Sequence, residues 1–160
     1  MIRNAAAADA EAICRIYNPH VSGTIVTFEE VPVEPAAMAG RIADIQRAHA
    51  WLVACVDDAV AGYAYAGPWR ARAAYRHAVE TTVYLAAEHT GRGLGRRLYE
   101  SLLEELRRMR FRCAIGGVAL PNAASVALHE RTGFVKVAHF REVGFKFGRW
   151  IDVGYWQREL

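Results

Sequence analysis

AVETTVYLAAEHTGRGLGRRLY, residues 78–99, runs from an apolar strand through a glycine turn into a helix. Thr81–Leu85 is β-branched and apolar, and Gly91, Gly93 and Gly95 punctuate the turn. Leu94, Leu98, Leu102, Leu106 and Met109 then recur at helical spacing, with Tyr99 and Leu103 widening the stripe. The first turn of a helix leaves backbone N–H groups unpaired, and glycine lets a phosphate approach them. A strand, a glycine turn and a helix start together make an anion site. Two phosphate motifs do not fit it. A dinucleotide fold expects G-x-G-x-x-G near the first strand, whereas these glycines fall two apart and late in the chain. A P-loop needs Lys-Ser or Lys-Thr after its last glycine, and none follows Gly95.

Outward from this segment, the patterning predicts strands at Ile2–Asn4, Trp51–Val56, Val60–Ala66, Ala78–Leu85, Arg112–Leu120, Val135–Phe145 and Arg149–Gln157. Asp57-Asp58 reads as a tight hairpin turn. Helices are predicted over Asp9–Asn18, Ala36–Ala48, Gly93–Met109 and Ala123–Thr132, the last capped by Asn122 and ended by Gly133. Val21–Val31 reads as a loop with β character, and Pro68–His77 as a polar, arginine-bearing loop. About seven strands and four helices, with antiparallel hairpins around one helical crossover, make a mixed α/β fold with a mostly antiparallel sheet.

The chain has 160 residues, read as a single domain. It is 53% hydrophobic and 23% charged, ordinary for a globular protein. Its net charge of +3 suits an anionic small ligand and is too mild to imply nucleic acid. Arg92, Arg96, Arg97, Arg107, Arg108, Arg110 and Arg112 are dense, but glutamates interrupt them and no aromatic platform runs alongside. No leader-like apolar region opens the chain and no run suits a membrane span. Cys14, Cys55 and Cys113 are odd in number and far apart, which reads as reduced core thiols in a cytoplasmic protein. His20, His49, His77, His89, His129 and His139 show no metal-ligand spacing, so no metal is expected.

At this point a resemblance emerges. TTVYLAAEHTGRGLGRRLY resembles the acetyl-CoA motif of the GCN5-related N-acetyltransferase (GNAT) superfamily, whose Gln/Arg-x-x-Gly-x-Gly/Ala core lands on Thr90-Gly91-Arg92-Gly93-Leu94-Gly95. LPNAASVALHERTGF (Leu120–Phe134) resembles the second cofactor motif. Trp51–Tyr75 and Val143–Gln157 resemble the phosphinothricin acetyltransferase branch, which also takes methionine sulfone and sulfoximine. The similarity covers essentially the whole chain. Thr90 stands where the family usually has Gln or Arg, and its side chain reaches less far.

The resemblance implies a layout. Acetyl-CoA is the co-substrate. Its pyrophosphate sits on the backbone of Gly91–Gly95, aided by Arg92 and Arg96. Its pantetheine arm pairs with the strand through Val83, Tyr84 and Leu85, and the acetyl carbonyl meets a backbone N–H near Val83. Asn122 and Ser125 touch the cofactor, although Asn122 also reads as a simple helix cap.

A free amine is mostly protonated at neutral pH, so acetylation needs a base. Glu80, an acid within an apolar strand, is either that base in a polar cleft or a solvent-facing residue. Partial burial should raise its pKa. The resemblance favours the base. His129 is the candidate proton donor to the departing thiolate, or a group that orients the sulfur. Tyr99 is the second candidate, and reads equally as a core aromatic. Arg70 and Arg72 supply bidentate donors for an anionic substrate or form a solvated loop. Tyr65, Tyr75 and Phe28 complete the substrate pocket. Trp150, Tyr155 and Trp156 read as core or dimer packing.

The expected activity is acetyl transfer to the amino group of a small anionic amino-acid-like substrate, direct and within a ternary complex, by a homodimer. Two alternatives stay open: a non-catalytic acetyl-CoA-binding module, and acetylation of a different amine class.

Overall fold

A computed structural model describes all residues, 1–160. In chain order the elements are β1 (Ile2–Asn4), α1 (Ala10–Gly23), α2 (Pro35–Gln46), β2 (Trp51–Val56), β3 (Ala59–Pro68), β4 (Ala78–Leu85), α3 (Leu94–Arg108), β5 (Cys113–Leu120), α4 (Ala123–Arg131), β6 (Val135–Lys146) and β7 (Arg149–Glu159). The strands form one sheet in the order β1-β2-β3-β4-β5-β7-β6. Every neighbouring pair is antiparallel except β4 and β5, which the α3 crossover makes parallel. The expected mixed α/β fold is therefore the observed one, with β4 at its centre. No helix is long and apolar enough to cross a membrane.

The sheet carries a core on each face. The apolar stripe of α3 puts Leu98, Tyr99, Leu102, Leu103 and Leu106 at zero exposure against Leu52, Ala64 and Val79. On the other face, Ile13, Val21, Met38 and Ile42 of α1 and α2 pack on Trp51, Val53 and Tyr63. Asp57 and Asp58 both take positive φ, which gives the β2–β3 hairpin a turn that matches strand twist.

Three expectations need correction. α1 does not stop before Pro19; it continues to Gly23. Proline removes one helical bond, but buried Val21 anchors the last turn. The expected β character of Val21–Val31 is absent, and residues 24–34 are irregular. Cys113 is half-buried, unlike Cys14 and Cys55; all three are free thiols.

Candidate active site

β4 and β5 pair only at Ala78↔Cys113, Val79↔Ala114 and Glu80↔Ile115. Beyond Glu80 they diverge, while β4 keeps β3 as far as Leu85↔Gly62 and β5 keeps β7 as far as Leu120↔Asp152. The carbonyl of His77 accepts from Arg112 N, so odd-numbered positions here aim their backbone at β5. The carbonyl of Ala78 accepts from Trp69 N, so even-numbered positions face β3. By the two-residue period of a strand, Val83 and Leu85 present N–H and C=O to the gap. An extended chain could pair with this edge.

A cavity of about 460 Å³ fills the gap. Its wall includes Glu80, Thr81, Thr82, Val83 and Tyr84 of β4, Gly117 of β5, Asn122, Ser125 and His129 near α4, and Val153 and Tyr155 of β7. Tyr17, Thr27, Phe28, Tyr65 and Val143 close the face on the α1–α2 side.

Glu80 stands at the last residue where the strands pair. Its Oε1 lies 3.3 Å from where a Cβ on Gly117 would be, a tight contact that glycine avoids. Burial raises the Glu80 pKa above the ordinary carboxylate value, and the charge of Arg70 partly opposes that rise. Tyr155, across Gly117 from Glu80, also has a raised pKa, first from burial and then from the Glu80 charge.

Asn122 caps α4, its Oδ1 accepting from Ser125 N at 3.1 Å. One turn on, His129 is buried, and burial lowers its pKa, so it is neutral near pH 7. Its Nδ1 lies 2.7 Å from the Ser125 carbonyl, which can only accept. Nδ1 therefore carries the proton and Nε2 a lone pair. This geometry makes Nε2 an acceptor, not the proton donor expected of it. The ring packs against Gly116, where a Cβ would fall 2.2 Å from Nε2.

Tyr99 is not brought to the cavity. Its ring lies in the core against Phe134, and its hydroxyl sits 2.6 Å from Thr81 Oγ1. Thr81 donates to the Ile115 carbonyl, so Tyr99 O–H is spent on Thr81. Its place on the apolar stripe of α3 decides this, and the core reading holds. Tyr99→Phe should cost about 1 kcal/mol of stability, a net buried hydrogen bond, and leave kcat within about twofold. Thermal melting and steady-state rates check it.

On the α1–α2 side, Phe28 and Tyr65 line the cavity. Arg70 is exposed and stacks on Trp69 at 4.1 Å, and Trp69 meets Tyr155 edge-on. Arg70 thus extends a row of side chains that ends at the cavity wall. Arg72 and Tyr75 are exposed, at a 3-10 turn over Ala73–Tyr75, and line no part of the wall. Proximity in sequence to β4 does not bring them to the cleft, because the turn carries them outward. Tyr155, expected only to pack, is a wall residue that sequence reasoning missed. The alternation along β7 signals it, since buried Trp156 turns one way and Tyr155 the other.

The glycine turn lies beyond the far end of β4. Gly91 and Gly93 take positive φ, and Gly93 begins α3 with no side-chain cap. The amides of Leu94, Gly95 and Arg96 take no backbone acceptor, while Arg97 N bonds Gly93 O. This open row of donors suits an anion. Thr90 is exposed, and its hydroxyl donates back to Ala87 O at 2.8 Å. Arg96 pairs with Glu100 at 2.8 Å, and Arg92 is exposed.

This splayed sheet and its cleft define an acetyltransferase. The chain matches the acetyltransferase (GNAT) domain over residues 2–154, and it belongs to that family of N-acetyltransferases. It is 42% identical over 159 residues to phosphinothricin N-acetyltransferase of Streptomyces viridochromogenes, covering 99% of this chain and 87% of that one. It is 38% identical over 170 residues to the L-methionine sulfoximine/L-methionine sulfone acetyltransferase of Salmonella typhimurium, covering 99% and 94%. Its structure is also similar to a GNAT-superfamily phosphinothricin acetyltransferase of Sinorhizobium meliloti in complex with acetyl-CoA. The TM-score is 0.96 at 38% identity, covering 100% of this chain and 88% of that one.

Proposed function

We propose that this enzyme transfers acetyl from acetyl-CoA to the amino group of a small anionic amino-acid-like substrate of the phosphinothricin or methionine sulfone/sulfoximine type. Transfer is direct, within a ternary complex. One observation carries the reading: a half-buried carboxylate, Glu80, stands where an open strand edge meets an aromatic-walled cavity. The likeness to the three relatives supports the substrate class.

Acetyl-CoA supplies an activated acyl carbon and a thiolate leaving group of pKa about 8.5, by analogy with cysteine. The backbone of Val83 and Leu85 holds the pantetheine amides, and the Val83 N–H faces the acetyl oxygen. Gly91, Arg92, Gly93, Leu94, Gly95 and Arg96 receive the pyrophosphate through backbone N–H and the two guanidinium groups. Asn122 and Ser125 border the arm. Glu80 accepts the amine proton, directly or through one water. The nitrogen lone pair then attacks the acetyl carbon, the C–S bond breaks, and the departing thiolate takes up the second amine proton, so that the amide and free CoA thiol are the products. His129, neutral and fixed by Ser125, orients the sulfur. Arg70 takes the substrate carboxylate from the cavity mouth, while Phe28 and Tyr65 enclose the body of the substrate.

The intact mass of the protein tests direct transfer. After mixing with acetyl-CoA alone, the mass should be unchanged; a gain of one acetyl group that amine then discharges would replace direct transfer with an acyl-enzyme route.

The same reading takes the enzyme as a cytoplasmic homodimer. Free thiols support the compartment. β6 supports the dimer, because its outer edge is unpaired and Val135, Val137, Phe145 and Phe147 are exposed along or beside it. Light scattering should give twice the chain mass of 17.8 kDa, and V137K/F145K should give the chain mass. A wild-type monomer would remove the dimer.

A further inference from the structure

Lys146 is a charged side chain that the mechanism does not use, yet it is only 2% exposed. Lysine is rarely covered so fully, because a buried ammonium is costly unless it is bonded. Its Nζ donates to two backbone carbonyls, Thr27 O at 2.7 Å and His20 O at 3.4 Å. His20 lies in the last turn of α1, where carbonyls favour a cation. Thr27 belongs to residues 24–34, the irregular segment between α1 and α2.

That segment forms one wall of the amine side of the cavity. Its next residue, Phe28, packs on Gly144, where an added Cβ would fall 2.3 Å from the ring. Gly144 and Lys146 are two apart on β6 and face the same way, both buried between exposed neighbours. Glu29 then accepts from both terminal nitrogens of Arg41 on α2, at 2.6 and 2.9 Å, and from the Tyr17 hydroxyl. So Thr27, Phe28 and Glu29 are each held. Of these grips, Lys146 alone ties the segment's backbone to the sheet through a charge-assisted bond.

We propose that Lys146 is a positioning residue for the amine substrate, fixing Thr27 so that Phe28 closes the pocket, with no part in holding acetyl-CoA. This rests on the amine-side assignment made above. The ammonium acts through the wall of the pocket and is not itself among the residues that line the cavity.

Lys146→Met keeps the stem and removes the donors. It should raise the amine KM about tenfold, with kcat and the acetyl-CoA KM within about twofold. Amide hydrogen exchange should quicken within residues 24–34 and stay unchanged in β4 and α3. Lys146→Arg, which keeps a charged donor, should restore most of the amine KM. Should Lys146→Met not fold, Lys146→Gln serves in the same comparison. Unchanged amine KM and unchanged exchange would overturn the proposal. So would equal rises in both KM values with exchange quickened throughout, because that pattern is general destabilisation. If the wild-type enzyme acetylates no amine, the functional reading falls by that result alone, and the exchange pattern still decides whether Lys146 holds the segment.

Discussion

Glu80→Gln lowers kcat by about two to four orders of magnitude, the usual contribution of a positioned general base. Acetyl-CoA affinity stays within about twofold of wild type, because the donors assigned to it are backbone groups of β4 and the glycine turn. Glutamine keeps the shape and loses the basic oxygen. The pH profile carries the same claim with a definite sign. The base works only as carboxylate, so the rate rises with pH through the Glu80 pKa and falls below it. Burial holds that pKa above the ordinary carboxylate value, so the acidic limb lies at higher pH than an exposed glutamate would give. In Glu80→Gln this limb disappears. Steady-state kinetics and calorimetric titration with acetyl-CoA measure both quantities. An equal loss of turnover and acetyl-CoA affinity would make Glu80 a structural residue.

Leu102→Ala removes about 3 kcal/mol of stability, the cost of a cavity beneath a fully packed helix. Leu102 has no exposure and sits mid-stripe on α3, between Leu98 and Leu106, against the central strands. In a chain of this size the loss shifts the thermal midpoint by about 9 °C. Calorimetry checks it. A loss under about 1 kcal/mol would mean that the site collapses around the smaller side chain. Because the glycine turn leads into α3, with Gly93 at its N-cap, the same variant should weaken acetyl-CoA binding only near its melting range.

The β4–turn–α3 segment was legible because a β-branched apolar run gives way, through a glycine turn, to helical spacing after Gly93. Strands β2 and β3 followed from the Asp57-Asp58 turn. The overrun of α1 past Pro19 was not legible, since it depends on Val21 reaching a core the sequence does not display. Glu80 could be read as an acid in an apolar strand. The gap that makes it useful could not, because it arises where β5 stays with β7 and leaves β4. Tyr99 and His129 are both aromatic-class residues on helices, and only packing separates the core hydroxyl from the wall imidazole. Lys146 carries no signal in the sequence, because its burial depends on residues 24–34 folding over it. Arg72 was misjudged for the opposite reason: it is near Glu80 in sequence and turned away in space.

The measurement that bears most directly on this account is acetyl-CoA-dependent thiol release across a panel of amines: phosphinothricin, methionine sulfone, methionine sulfoximine, ordinary amino acids, a polyamine and a lysine-bearing peptide. The account predicts turnover with the first three and none with the polyamine or peptide. Turnover confined to the polyamine or peptide would contradict the substrate class, and silence across the panel with acetyl-CoA still bound would contradict the enzyme reading in favour of a binding module.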